Sequence, residues 1–155
     1  MTHSVSVFNR QRAAQINTVL LRHLTSRLLD HELARQASEI SIFLVGEKRI
    51  AELNEQYVRH SGPTDVITFD YQDDTRPEWL EGDIFVCVPV AIKQAKEFRA
   101  PWQEEILRYI IHGILHLSGM EDHSDAGYRA MKREEKRLLN RLVPGSGLPR
   151  LGKIR

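Results

Sequence analysis

Twelve residues, HGILHLSGMEDH (112–123), hold three of the chain's seven histidines. His112 and His116 are four residues apart, so on a helix their imidazoles project from one face, one turn apart. Two imidazoles placed that way can grip one divalent ion at about 2.0–2.1 Å each. The helix can close at Gly119, and the turn beyond it can then carry a third donor back over the same point. Two residues compete for that place. Asp122 has the spacing, and a carboxylate oxygen is an acceptable zinc ligand; His123 comes one residue later but offers a third imidazole on a pliable loop. Three protein donors with a fourth position open is the arrangement of a catalytic zinc site. The same donors also suit nickel, cobalt or iron.

The spacing is similar to the metzincin signature H-E-x-x-H-x-x-G-x-x-H, with Gly119 on its glycine. Gly113 stands where that signature carries the glutamate that activates water. The metal is therefore expected to be retained and peptidase chemistry to be lost. The neighbours Ile110, Ile111, Ile114, Leu115 and Leu117 make this helix largely buried. Two imidazoles buried there without partners would carry a desolvation cost that a shared metal removes.

The elements that must position these residues follow from periodicity. Apolar residues at three- and four-residue steps predict a helix, continuous or interrupted, from about Gln11 to Arg35, then helices over 47–58, 90–100, 101–119 and 124–142. Pro101 suits the first turn of the fourth, and Ser124 and Asp125 can cap the fifth. SVSVF (4–8), EISIFLVG (39–46), DVITFDY (65–71) and DIFVCV (83–88) read as strands. QDDTRPEWLEG reads as a loop or hairpin connection. Strands and helices alternate without a regular βαβ rhythm. The expected fold is α+β (mixed α/β): a single compact domain with a small mixed sheet covered by helices and a metzincin-like metal-binding helix. Residues 1–142 form that catalytic domain, and 143–155 form an irregular basic tail. Phe69, Phe85 and Phe98 are expected in the core, and Trp79 as a partly buried loop anchor.

Apolar residues make up 41% and charged residues 28% of the 155, ordinary values for a globular domain. Without a membrane-length apolar run or a signal-peptide pattern, the protein is expected in the cytoplasm. The single cysteine, Cys87, excludes a disulfide framework and is expected as a buried thiol. Net charge is +1, but residues 129–155 hold nine bases against Glu134 and Glu135, while 61–83 hold seven acids and one base. A basic end can hold a polyanion such as RNA. Arg129, Arg133 and Lys136 are the candidate RNA contacts, with Lys132, Arg137 and Arg141 on the same helix.

Together these blocks resemble the YbeY family, bacterial metal-dependent endoribonucleases that act as ribosomal RNA maturation factors. HGILHLSG matches the family's helix-borne HGxLHLxG. LNEQYVRHSGPTDVITFDY (53–71) resembles its helix, loop and strand around P-T-D-V-L-S-F, and EGDIFVCVPVAIKQAKEF (81–98) its G-D-I strand and helix. The resemblance spans roughly residues 38–140. It implies a zinc-dependent endoribonuclease of single-stranded RNA that matures the 3′ terminus of 16S ribosomal RNA and serves late 70S quality control. It also implies the small ribosomal subunit and its proteins as partners, with neither membrane nor DNA. The family usually carries arginine directly after the tyrosine of the first block; here Val58 takes that place and Arg59 follows. Arg59 and His60 are the candidates to stabilise charge that builds on a phosphoryl group. Thr64 and Asp65 could orient a ligand histidine or simply form the turn before the strand. Two other readings are a metal hydrolase of peptides or small molecules, its base drawn from Glu121 or the 61–83 acids, and a ribosome-assembly factor with a structural metal.

Overall fold

The computed structural model describes residues 2–33, 37–58 and 65–155. Side chains alternate between the two faces of a strand, and the apolar ones here fix which face each helix covers. Strands β1 (Thr2–Arg10), β3 (Ala37–Val45) and β5 (Trp79–Cys87) run parallel, and β4 (Val66–Asp70) closes the edge antiparallel to β5. The order is β1-β3-β5-β4, a mixed sheet. A second ribbon pairs β2 (Ala14–Ile16) with β6 (Gly152–Ile154).

Val5, Ile40, Ile42, Leu44, Leu80, Ile84 and Val86 point to one face and are buried in one cluster with helices α1 (Thr18–Arg27) and α4 (Trp102–Leu117). On the other face, Val45, Ile67 and Cys87 meet Ile50 and Leu53 of α2 (Glu47–Leu53). Burial pushes the Cys87 thiol up to about 11, so it stays neutral. Phe8, Phe43 and Phe85 stack across neighbouring strands at centroid distances of 5.0 and 4.5 Å, and Phe69 meets Phe85 edge-on at 5.7 Å. Helix α3 (Val88–Glu97) leads from β5 towards α4, and α5 (Asp125–Leu142) packs on α4.

The placement of α4 depends on Gly113. A Cβ there would lie 2.9 Å from Ile84 Cδ1 and 3.0 Å from its Cγ1 and Cγ2. Only a bare backbone lets the helix lie this close to β5, and this contact fixes the depth at which the flanking His112 is held.

The structure corrects three expectations. The helix expected from Gln11 starts only at Thr18, with Asn17 as its cap accepting from the Leu20 N–H. The Gln11 side chain instead takes up the N–H groups of Ala13 and Ala14, which leaves Ala14–Ile16 free to pair as a strand. Beyond Arg27 the chain widens into a π turn, Leu28–Glu32. Phe98, expected in the core, is 73% exposed, because α3 ends one residue earlier and Arg99, at φ 55°, turns the chain away. The tail is not irregular throughout. A 3₁₀ turn (Pro149–Leu151) leads into β6, Leu148 and Leu151 are buried, and the Asn17 N–H donates to the Leu151 carbonyl at 2.7 Å. Two leucines in a stretch rich in glycine and proline dock it onto the main core. Leu151→Ala is accordingly expected to cost about 2–5 kcal/mol, the usual range for a fully buried leucine, measured by denaturant unfolding.

Candidate metal centre

Helix α4 delivers both histidines and then reverses the chain. Gly119 has φ 102°, a left-handed conformation suited to glycine. Its N–H donates to the His116 carbonyl, and the Met120 N–H donates to the Leu115 carbonyl, both at 3.0 Å. These two bonds make a Schellman cap. The reversal brings the Met120 carbonyl to 3.1 Å from His116 Nδ1. It also carries Asp122 back over the helix end, with Oδ2 at 3.6 Å from His116 Nε2 and 3.9 Å from His112 Nε2.

Each imidazole is held from behind. A carbonyl only accepts, so His116 Nδ1 carries the proton and Nε2 presents its lone pair. On His112 the same task falls to a carboxylate: Glu135 Oε2 accepts from Nδ1 at 2.7 Å. The rings are 4.5 Å apart at 85° to one another. Glu135, on α5, is only 1% exposed. Burial opposes its ionisation, but His112, Lys132 and Arg108 outweigh that and hold its carboxyl below the usual carboxylate range. Arg108 NH1 donates to Glu135 Oε1 at 2.8 Å, and the same guanidinium pairs with Glu105.

The ligating atoms of His112, His116 and Asp122 all lie within 4.8 Å of one another, and among the described residues they form the one such group able to hold a metal ion. Donors around a tetrahedral ion with bonds of about 2.0–2.1 Å stand roughly 3.3–3.4 Å apart, somewhat closer than the 3.6 and 3.9 Å from Asp122 Oδ2 to the two Nε2 atoms. Two nitrogen donors with fixed tautomers and one carboxylate oxygen fit a divalent ion. The three side chains are 16%, 27% and 25% exposed, so the group is open to solvent on one side.

Of the two residues that compete for the third place, the turn brings Asp122 to the histidines. His123 points away, 84% exposed and paired with Glu121 at 2.8 Å. Arg129, Arg133 and Lys136 recur at helical spacing as an exposed stripe, on the side of α5 opposite the buried Met131, Glu135 and Leu138. Lys132, by contrast, reaches to 3.4 Å from Glu135 Oε1 and lies over the Tyr128 ring at 5.4 Å from its centroid. Asp65 accepts from the N–H of Val66, a turn contact at the strand start. Trp79 donates to Glu81, and Arg76 lies 4.1 Å over its ring. Arg59, His60 and Thr64 lie outside the described residues. Sequence reasoning missed Glu135 and Arg108. The available signal was an acid inside the apolar stripe of α5, between Met131 and Leu138.

The geometry groups two histidines of one helix with a carboxylate from the turn beyond it, a set that could hold a metal ion, in a mixed α/β domain. Residues 6–143 match the family model of endoribonuclease YbeY. Endoribonuclease YbeY of Bacteroides fragilis is 36% identical over 105 residues, covering 68% of this chain and 73% of the relative. That of Salinibacter ruber is 27% identical over 146 residues, covering 90% of this chain and 92% of the relative. A solution structure of a Thermotoga maritima protein superposes with a TM-score of 0.62 at 28% identity, covering 87% of this chain and 89% of that one. The chain belongs to the YbeY family of endoribonucleases, hydrolases that cut RNA. No helix among the described residues is long and apolar enough to cross a membrane.

Proposed function

We propose that this protein is a zinc-dependent endoribonuclease that cuts single-stranded RNA, with His112, His116 and Asp122 as the metal ligands. The observation that carries this is the convergence of two Nε2 atoms and Asp122 Oδ2 while both Nδ1 atoms are committed behind them. When bound, a divalent ion supplies Lewis acidity toward a phosphoryl oxygen or a water molecule. Glu135 and the Met120 carbonyl keep the imidazoles aimed, and Asp122 offsets part of the positive charge. Arg59 and His60 are the candidates to hydrogen-bond the phosphoryl oxygens as their charge grows. The exposed stripe of Arg129, Arg133 and Lys136 is the candidate for long-range attraction of the RNA backbone.

Within the family's role, the proposed substrate is the 3′ terminus of 16S ribosomal RNA in the cytoplasm, cut during late 70S quality control, with the small subunit and its proteins as partners. Peptide hydrolysis is disfavoured because the place of its glutamate is filled by the Gly113–Ile84 contact. A purely structural metal is disfavoured by the open side of the site.

Paired assays on one RNA sequence, single-stranded and in duplex, test this. Zinc-loaded protein should cut the single strand, lose that activity on chelation and regain it with added zinc. Equal cutting of the duplex, or cutting unaffected by a chelator that removes the metal, would contradict it.

A further inference from the structure

We infer that Glu135, clamped by Arg108, is the positioning residue that fixes the tautomer of His112 and makes it the stronger of the two imidazole donors. This rests on His112 as a metal ligand, as proposed above. Glu105, Arg108 and His112 lie at positions i, i+3 and i+7 of α4, on the stripe that faces α5. Glu135 meets that stripe from α5 and is shared: Oε2 goes to His112 and Oε1 to Arg108, at 2.7 and 2.8 Å. Two carboxylates at 7% and 1% exposure are thus buried around one guanidinium. Helix packing gives no reason for this, since apolar residues of similar volume would hold two helices together at least as well.

The chemistry of the ring gives a reason. Which nitrogen of an imidazole is protonated depends on the hydrogen bond made by the other. A buried carboxylate on Nδ1–H enforces one answer and raises the basicity of Nε2. His116 Nδ1, by contrast, meets a neutral carbonyl at 3.1 Å. The two rings are therefore unequal, and His112 is the anchor. Arg108 holds the carboxylate in place and is itself partnered by Glu105, so it keeps a counter-charge when Glu135 is neutralised.

The test uses the full chain in two forms. In the metal-free protein, imidazole ¹⁵N shifts should show His112 as the Nδ1–H tautomer, and Glu135→Gln should move it towards Nε2–H. In a zinc titration against a competing chelator, Glu135→Gln should bind about 10–100-fold more weakly than wild type. Glu134→Gln, one residue along and paired with Arg137 at the surface, should bind as wild type does. Should Glu135→Gln fail to fold, Glu135→Asp keeps the charge beside Arg108 but withdraws it from His112, and the same weakening is expected. Wild-type His112 found as Nε2–H, or variants that bind zinc as tightly as wild type, would overturn the assignment. Wild-type protein that takes up no zinc yet holds His112 as Nδ1–H would overturn the metal reading and the donor role, and leave the tautomer lock standing.

Discussion

Asp122→Ala is expected to remove both bound zinc and RNA cleavage, whereas His123→Ala leaves both at wild-type levels. Asp122 Oδ2 is the atom that the turn after α4 brings to within 4 Å of both Nε2 atoms, at 3.6 and 3.9 Å. Loss of a residue that merely orients a ligand costs roughly 10–100-fold in metal affinity, so loss of a ligand itself should exceed about a hundredfold. Cleavage should fall in step. Folding should persist, because the Asp122 side chain lies on the turn and belongs to no apolar cluster. His123 is 84% exposed and pairs with Glu121, so its removal should disturb neither the helix nor the candidate ligands. Zinc content and cleavage rate, measured on both variants, decide between the two neighbours. The opposite pattern, zinc lost from His123→Ala and kept by Asp122→Ala, would reverse the assignment.

Gly113→Glu is expected to unfold the protein rather than restore a peptidase. By sequence spacing this substitution rebuilds the missing general base. In the fold, the first added carbon already meets three atoms of Ile84, which is wholly buried. Overpacking of this kind costs about 1–3 kcal/mol. Burying an unpaired carboxylate against the sheet adds several kcal/mol more. The sum approaches the roughly 5–15 kcal/mol that stabilises a typical domain. Gly113→Ala should be far milder, since the gain of about 1 kcal/mol in helix propensity offsets part of the clash. Denaturant unfolding of both variants, with a peptide-cleavage assay on any folded fraction, provides the check. A stable, peptide-cutting Gly113→Glu protein would show that the glycine is not there for packing.

Local information carried far at this site. The pairing of His112 with His116 needs only a helix, and the chain reversal needs only a glycine at the end of it; both were legible in HGILHLSG. The choice between Asp122 and His123 was not, because it turns on the two hydrogen bonds of the cap, which fix how the next three residues leave the helix. Glu135 was hidden for a different reason. It is 23 residues from His112 and meets it only because α5 packs on α4; an acid inside the apolar stripe of α5 marks Glu135 as unusual but does not name its partner. The strands of the sheet were legible in the alternation of SVSVF and in the β-branched and aromatic residues of DVITFDY and DIFVCV. The start of α1 was not, since Ile16 falls in step with Val19, Leu20 and Leu24 although its backbone is diverted by the Gln11 side chain and by pairing with β6. The strand at the C-terminus shares that cause. In Gly152–Ile154 the glycine and lysine disfavour a strand and Ile154 alone favours it, so its pairing depends on β2, more than 130 residues earlier in the sequence.

The most direct test of the metal centre is a crystal structure of the protein grown with zinc, with anomalous data collected on either side of the zinc edge. The predicted result is a single strong peak per chain, bonded at about 2.0–2.2 Å to His112 Nε2, His116 Nε2 and one Asp122 oxygen, with a water or anion in the fourth place. An empty site at saturating zinc, or a peak bound through His123 with Asp122 turned away, would contradict it.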